Sequence, residues 1–142
     1  MHKLLVAVDG SESALRAVRY AMKLARENGP CSIHLVNVHE PPLLYGELAV
    51  YVPREKMERL QREHSEALLE PAAAILREGS VPFTTETLVG EVAATIARRA
   101  DELGCDAIVM GTRGMGAIGN LVMGSVATKV VHLAKVPVTL VK

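Results

Sequence analysis

Short, continuously apolar runs alternate with stretches of helical periodicity along the whole chain, and this alternation restricts the fold more than any other feature. A strand that is apolar at every position, rather than at every second one, is buried on both faces. That happens in parallel sheets covered by helices. The first such run is Lys3–Asp9 (KLLVAVD). Gly10 and Ser11 turn the chain into a helix that Ser11 or Ser13 caps and that reaches about Asn28, with Leu15, Val18, Met22 and Ala25 on one stripe. Gly29 and Pro30 stop it.

The pattern then repeats. Cys31–His39 (CSIHLVNVH) is the second strand, and Glu40–Pro53 is a connection too apolar for a plain solvated loop. A helix is expected over about Arg54–Glu78, with Met57, Leu60, Leu68 and Ile75 or Leu76 inward and pairs such as Glu58/Arg62 outward. Pro71 inside it removes a backbone donor and predicts a kink or a restart. Pro82–Val89 is a more polar strand, suited to a sheet edge. Glu91 to about Leu103 is a helix with Val92, Ile96 and Ala100 inward, and Cys105–Met110 is a short buried strand. Ser125–Ala134 is the last helix and Val136–Val141 the last strand. Five strands and four helices make a three-layer α/β/α sandwich on a parallel sheet, one domain over residues 1–142.

Composition removes several function classes. Sixteen basic residues balance sixteen acidic ones, and there is one Phe, three Tyr and no Trp. The chain therefore has neither the basic footprint nor the stacking platforms of a nucleic-acid binder, nor a basic face for an anionic membrane. No apolar run approaches the ~20 residues that span a bilayer, and Asp9 ends the first run too early for a signal peptide. Cys31 and Cys105 stand apart, each at an apolar run, as small buried residues rather than a disulfide. A cytoplasmic protein is the expectation.

Five of the eleven glycines fall within Gly111–Gly124 (GTRGMGAIGNLVMG), between a buried strand and a helix. Ligands of open α/β sheets sit outside the carboxyl ends of the strands. Glycine lets backbone N–H groups approach an anion there, and a following helix presents unbonded N–H groups and the positive end of its dipole. Ser125 adds a hydroxyl. The loop is not a Walker A motif, which needs GxxxxGK followed by Ser or Thr. Gly114, Gly116 and Gly119 spell GxGxxG, but the dinucleotide fingerprint requires an acidic residue about 20 positions on, and that point falls near Thr139 in the last strand. A phosphoryl-receiver reading fails as well, because the third strand ends in Leu88-Val89-Gly90 where an aspartate is needed.

The spacing Gly111-x2-Gly114-x9-Gly124-Ser125 resembles the nucleotide signature of the ATP-binding universal stress proteins (UspA-like). The resemblance extends over the VAVDGSESA opening, the LVNV second strand, VGEVAATI before the third helix and the VPVTLVK ending. It implies an adenine nucleotide alpha hydrolase-like, Rossmann-like topology. It also implies ATP held by Gly111, Gly114, Gly124 and Ser125 with the Val126 amide, along a loop lined by Met110 and the backbone of Thr112 and Arg113. Asp9 matches the family's acidic position near the ribose, the phosphates or a magnesium ion. Ala7 and Val8 would border the base, and the backbone of Val38 would read adenine; Ala7 is a proline in some members. The resemblance further implies a homodimer through Val136–Val141, a strand poorly protected as an edge.

The remaining residues add little chemistry. His2, His34, His39, His64 and His132 show no metal-ligand spacing, and no Ser-His-Asp or Cys-His set emerges. Arg113 could neutralise a terminal phosphate; Lys129 should face solvent. The expected function is nucleotide-dependent stress signalling, in which occupancy orders the glycine loop. A slow ATPase or nucleotidyl transferase, with Asp9 as its one evident base, is the enzymatic alternative. A nucleotide-independent dimeric interaction protein is the other.

Overall fold

The computed structural model describes residues 2–41, 52–112 and 124–142. The elements run β1 (His2–Ala7), α1 (Glu12–Glu27), β2 (Cys31–His39), α2 (Arg54–Glu78), β3 (Phe83–Val89), α3 (Val92–Glu102), β4 (Ala107–Gly111), α4 (Ser125–Leu133) and β5 (Val138–Val141). The strands form one sheet, all parallel, in the order β3-β2-β1-β4-β5. The chain walks outward from β1 to β3, returns to β4 on the other side of β1, and finishes at β5. The reversal lies between β1 and β4, so the crevice for a ligand is at their carboxyl ends.

Both faces of the sheet are covered, as the apolar strands require. On one face Leu4, Val6, Ile33 and Leu35 pack against Val18 and Ala21 of α1 and Leu69, Ala72 and Leu76 of α2. On the other, Leu5, Val36 and Ile108 pack against Ala93 and Ile96 of α3 and Ala127 and Val130 of α4. Burying a Leu, Ile or Val side chain contributes about 1.5–3 kcal/mol, and this two-sided burial is the main term holding the layers together.

Several local expectations shift. Ser11, not Ser13, caps α1: its hydroxyl accepts from the Ala14 N–H at 3.1 Å. The α1 stripe is rich in alanine (Ala14, Ala17, Ala21, Ala25), with Leu15 and Met22 only partly buried. Pro71 neither restarts nor divides α2, which is one helix over 25 residues. The carbonyl that proline leaves without an N–H belongs to Ala67, and both residues are exposed, where water can take the place of the missing donor. The buried stripe of α2 is Ser65, Leu69, Ala72, Ala73 and Leu76, while Leu60 is 47% exposed. Arg54, not Arg62, pairs with Glu58, at 3.1 Å. β4 begins two residues later than expected and includes Gly111. β5 begins at Val138, because Pro137 contributes only its carbonyl, to the Ile108 N–H at 2.9 Å. β3 and β5 are the sheet edges, the first as expected from its polarity.

Candidate functional site

Three chain segments meet at the β1/β4 reversal. The first is the end of β1. Val8 makes the last backbone ladder bond to β2, N–H to the Val36 carbonyl at 2.8 Å, and the chain then turns through Asp9 and Gly10. Gly10 adopts φ +87, a conformation that favours glycine, and a Cβ there would meet only the flexible end of the Leu68 side chain of α2, Cδ2, at 2.8 Å. Asp9 Oδ1 accepts from the Ser11 N–H at 2.9 Å. This local bond orients the half-buried carboxylate at the mouth of the crevice.

The second segment is the end of β2. In a parallel ladder, alternate residues direct N–H and C=O to the same neighbour. Val36 bonds toward β1, while Ile33 and His39 bond toward β3, through the Pro82 carbonyl at 3.1 Å and the Gly90 N–H at 2.9 Å. Val38 therefore turns its N–H and C=O toward the β1 side, one step beyond the point where β1 leaves the sheet. The Val8 carbonyl, which a longer ladder would give to the Val38 N–H, instead accepts from the side-chain Nδ2 of Asn37 at 2.7 Å.

The third segment joins β4 to α4. Buried Thr112 donates its N–H to the Val141 carbonyl at 3.0 Å, and its own carbonyl accepts from the Gly124 N–H, so the two ends of the glycine-rich segment are tied together. Arg113 and Gly114 lie outside the described residues. Gly124 is the N-cap of α4 and no side chain caps that end. By contrast Ser11 caps α1 and Glu91 caps α3. The start of α2, at Pro53, also lacks a side-chain cap; that of α4 differs in following the glycine-rich segment, and it keeps the anion-binding character of a bare N-terminus. Exposed Ser125 and half-buried Val126 begin the helix.

The structure thus brings Ala7, Val8, Asp9, Val38, Met110, Gly111, Thr112, Gly124, Ser125 and Val126 to one end of the sheet. Their roles differ. Met110 is a core residue, 5% exposed. Gly111 is required by packing: a Cβ there would meet both the backbone carbon and the Cβ of Ser13 in α1 at 2.8 Å. Asn37 was not singled out by its sequence, although a signal existed. It is a single carboxamide in an otherwise apolar stretch, LVNV, and it is 4% exposed with an Oδ1 that has no hydrogen-bond partner among the described residues.

The titratable groups near the site are few. His39, at the carboxyl end of β2, is hydrogen-bonded through Nδ1 to fully buried Ser65 of α2 at 2.9 Å. Burial, and then the charge of His64, hold its pKa below the ordinary imidazole value. Away from the site, Glu86 of β3 accepts from Arg99 at 2.8 and 3.1 Å and contacts His34 at 2.9 Å. The Arg99 hydrogen bonds, against the opposing effect of burial, bring Glu86 below the usual carboxylate range. The Cys31 and Cys105 thiols are both buried and free, and burial raises their pKa values. Among the described residues no three His, Cys, Asp or Glu side chains could hold a metal, and no helix is long and apolar enough to cross a membrane. A groove of about 420 Å³ lined by Lys3, Ser32, His34 and Phe83 lies at the amino ends of the strands, opposite the reversal crevice.

Comparison with known proteins agrees with this architecture. The family model described as the universal stress protein family matches residues 1–142. A universal stress protein of Thermus aquaticus is 36% identical over 98% of this chain and 97% of its own length. The Bacillus subtilis universal stress protein YxiE is 32% identical, with 99% of each chain covered. The solved structure of the Archaeoglobus fulgidus universal stress protein in complex with dAMP is 28% identical and superposes with a TM-score of 0.70, covering all of this chain and 98% of that one. Sequence relationship, sheet order and crevice lead to one conclusion: the chain belongs to the universal stress protein family.

Proposed function

We propose that this protein binds ATP, or a closely similar adenine nucleotide, at the β1/β4 crevice and uses occupancy as a stress signal. The observation that carries this reading is the bare N-terminus of α4, set at the return of the glycine-rich segment. The phosphates would lie against the amides of Ser125 and Val126, with the Ser125 hydroxyl as a further donor and with Gly114 and Arg113 contributing as the resemblance implies. The base would lie over Ala7 and Val8 and meet the outward N–H and C=O of Val38. The related Archaeoglobus protein was solved with dAMP, which supports an adenine ligand. Asp9 is an oriented single carboxylate. That suits contact with ribose hydroxyls, or with a magnesium ion arriving on the phosphates, rather than a dedicated metal cage.

Nucleotide occupancy would order the glycine loop and present a changed surface to a partner. The other titratable group near the crevice, His39, is engaged through Nδ1 with Ser65 of α2, and binding rather than turnover is the function we favour. The protein would act in the cytoplasm as a homodimer through the open edge of β5.

Calorimetric titration with Mg-ATP tests the reading, after denaturing extraction has excluded co-purified nucleotide. Saturable binding is expected. Gly114→Asp, which places a carboxylate among the phosphates, should weaken it at least about tenfold, or ~1.4 kcal/mol. A wild-type protein that is nucleotide-free and still does not bind would remove the proposal and leave the interaction-protein alternative.

A further inference from the structure

We infer that Asn37 is a positioning residue for base recognition: its side chain takes the Val8 carbonyl so that the backbone edge of Val38 remains open to the ligand. The inference deepens the proposed nucleotide reading and rests on it for its functional consequence. Its structural core can be tested without any ligand.

β1 and β2 pair through Ala7↔Val36, and the Val8 N–H still bonds the Val36 carbonyl. If the ladder ran one step further, the Val8 carbonyl would accept the Val38 N–H. The edge that faces the crevice would then be consumed by the sheet. Asn37 prevents this. Its Nδ2 donates to the Val8 carbonyl at 2.7 Å in a buried setting, and so terminates the ladder one residue early. The side chain is 4% exposed and its Oδ1 has no partner among the described residues. An unsatisfied buried acceptor is destabilising, so an apolar residue here would suit the core better. Holding the Val8 carbonyl is what the carboxamide does that leucine cannot. The same bond fixes Val8, the residue before Asp9, and so aims the turn that carries the carboxylate.

The first readout is amide hydrogen exchange of the nucleotide-free protein, followed residue by residue by NMR. The Val38 amide should exchange much faster than that of Val36 in the wild type, and Asn37→Leu should slow it as the Val8 carbonyl becomes available. Val38 protection equal to that of Val36 in the wild type would overturn the inference. The second readout is discrimination between Mg-ATP and Mg-GTP. Asn37→Leu should lose about tenfold in ATP affinity with GTP binding unchanged, because phosphate contacts do not depend on Val38. Unchanged ATP binding in a folded variant, or equal losses for both nucleotides, would overturn it too. A wild type that binds neither nucleotide defeats the nucleotide reading alone, since the exchange result stands apart from it.

Asn37→Asp keeps the shape and serves as a second variant if leucine impairs folding. Its carboxylate cannot donate to the Val8 carbonyl, whereas the protonated acid can. Burial raises such a pKa. Relative to wild type at each pH, ATP affinity should therefore recover as pH falls. A flat ratio would count against the inference.

Discussion

At Gly111 packing makes a demand that is independent of any ligand. The resemblance assigns it to the phosphate loop, yet its missing side chain is what lets the first turn of α1 close on β4. A methyl group would press on the Ser13 backbone carbon at 2.8 Å, where the neighbour is main chain and cannot swing aside. Gly111→Ala should therefore cost about 1–3 kcal/mol of stability, as overpacking does, and lower the urea midpoint whether or not nucleotide is present. Stability equal to wild type would return Gly111 to a purely ligand-facing role. A glycine's spacing was visible in the sequence, but the neighbour it accommodates, about a hundred residues away, was not. The same limit applies to Asn37. The sequence shows a carboxamide in an apolar strand, and only the pairing of β1 with β2 shows which carbonyl it meets.

At the scale of elements, the strands were easier to read than the helix faces. A strand buried on both sides is apolar throughout, so its identity survives errors in register. A helix face depends on a rotation of about 100° per residue, and in α2 the expected Leu76 is buried while Leu60 and Leu68 gave way to Ser65, Leu69 and Ala72. The displaced face places Ser65 against His39, tying the middle of α2 to the end of β2. This junction makes a prediction about pH. The folded-state pKa of His39 lies below the ordinary value of 6.5, through burial first and the charge of His64 second. The folded protein thus binds fewer protons than the unfolded chain between the lowered pKa and 6.5. The contribution is complete above pH 6.5 and is lost as pH falls through the lowered value. His39→Asn, which keeps a polar atom near the Nδ1 position but cannot titrate, should flatten that part of the profile. Chemical denaturation followed from about pH 8 to pH 5 checks it, and a parallel fall in both proteins would assign the loss elsewhere.

For the whole molecule, the unequal finish of the two sheet edges matters most. β3 has polar side chains and is braced by the Glu86–Arg99 pair at 2.8 Å. β5 reads VTLV, all four residues half-buried, and beside it α4 carries Val131 and Leu133 at 45% and 51% exposure. Pro137 and Val141 direct their carbonyls to β4, so by alternation Val138 and Leu140 present N–H and C=O outward. An unguarded edge flanked by apolar side chains suits a second copy of the chain across a two-fold axis. Val138→Pro removes one outward N–H while leaving the bonds to β4 in place, and it nearly conserves side-chain volume. Sedimentation equilibrium should find twice the chain mass for the wild type and a shift toward one chain mass for the variant. Both proteins should keep the same far-ultraviolet circular dichroism, because no bond within the sheet is lost. A monomeric wild type at all accessible concentrations would mean that the β5 edge is left open or serves a different partner. A variant that stays dimeric would move the interface off β5, toward the exposed face of α4. Because β5 is anchored to the crevice through the Thr112 N–H to Val141 bond at 3.0 Å, an intact dimer edge would also hold the root of the glycine-rich segment. The variant should then bind nucleotide more weakly in proportion to its loss of dimer.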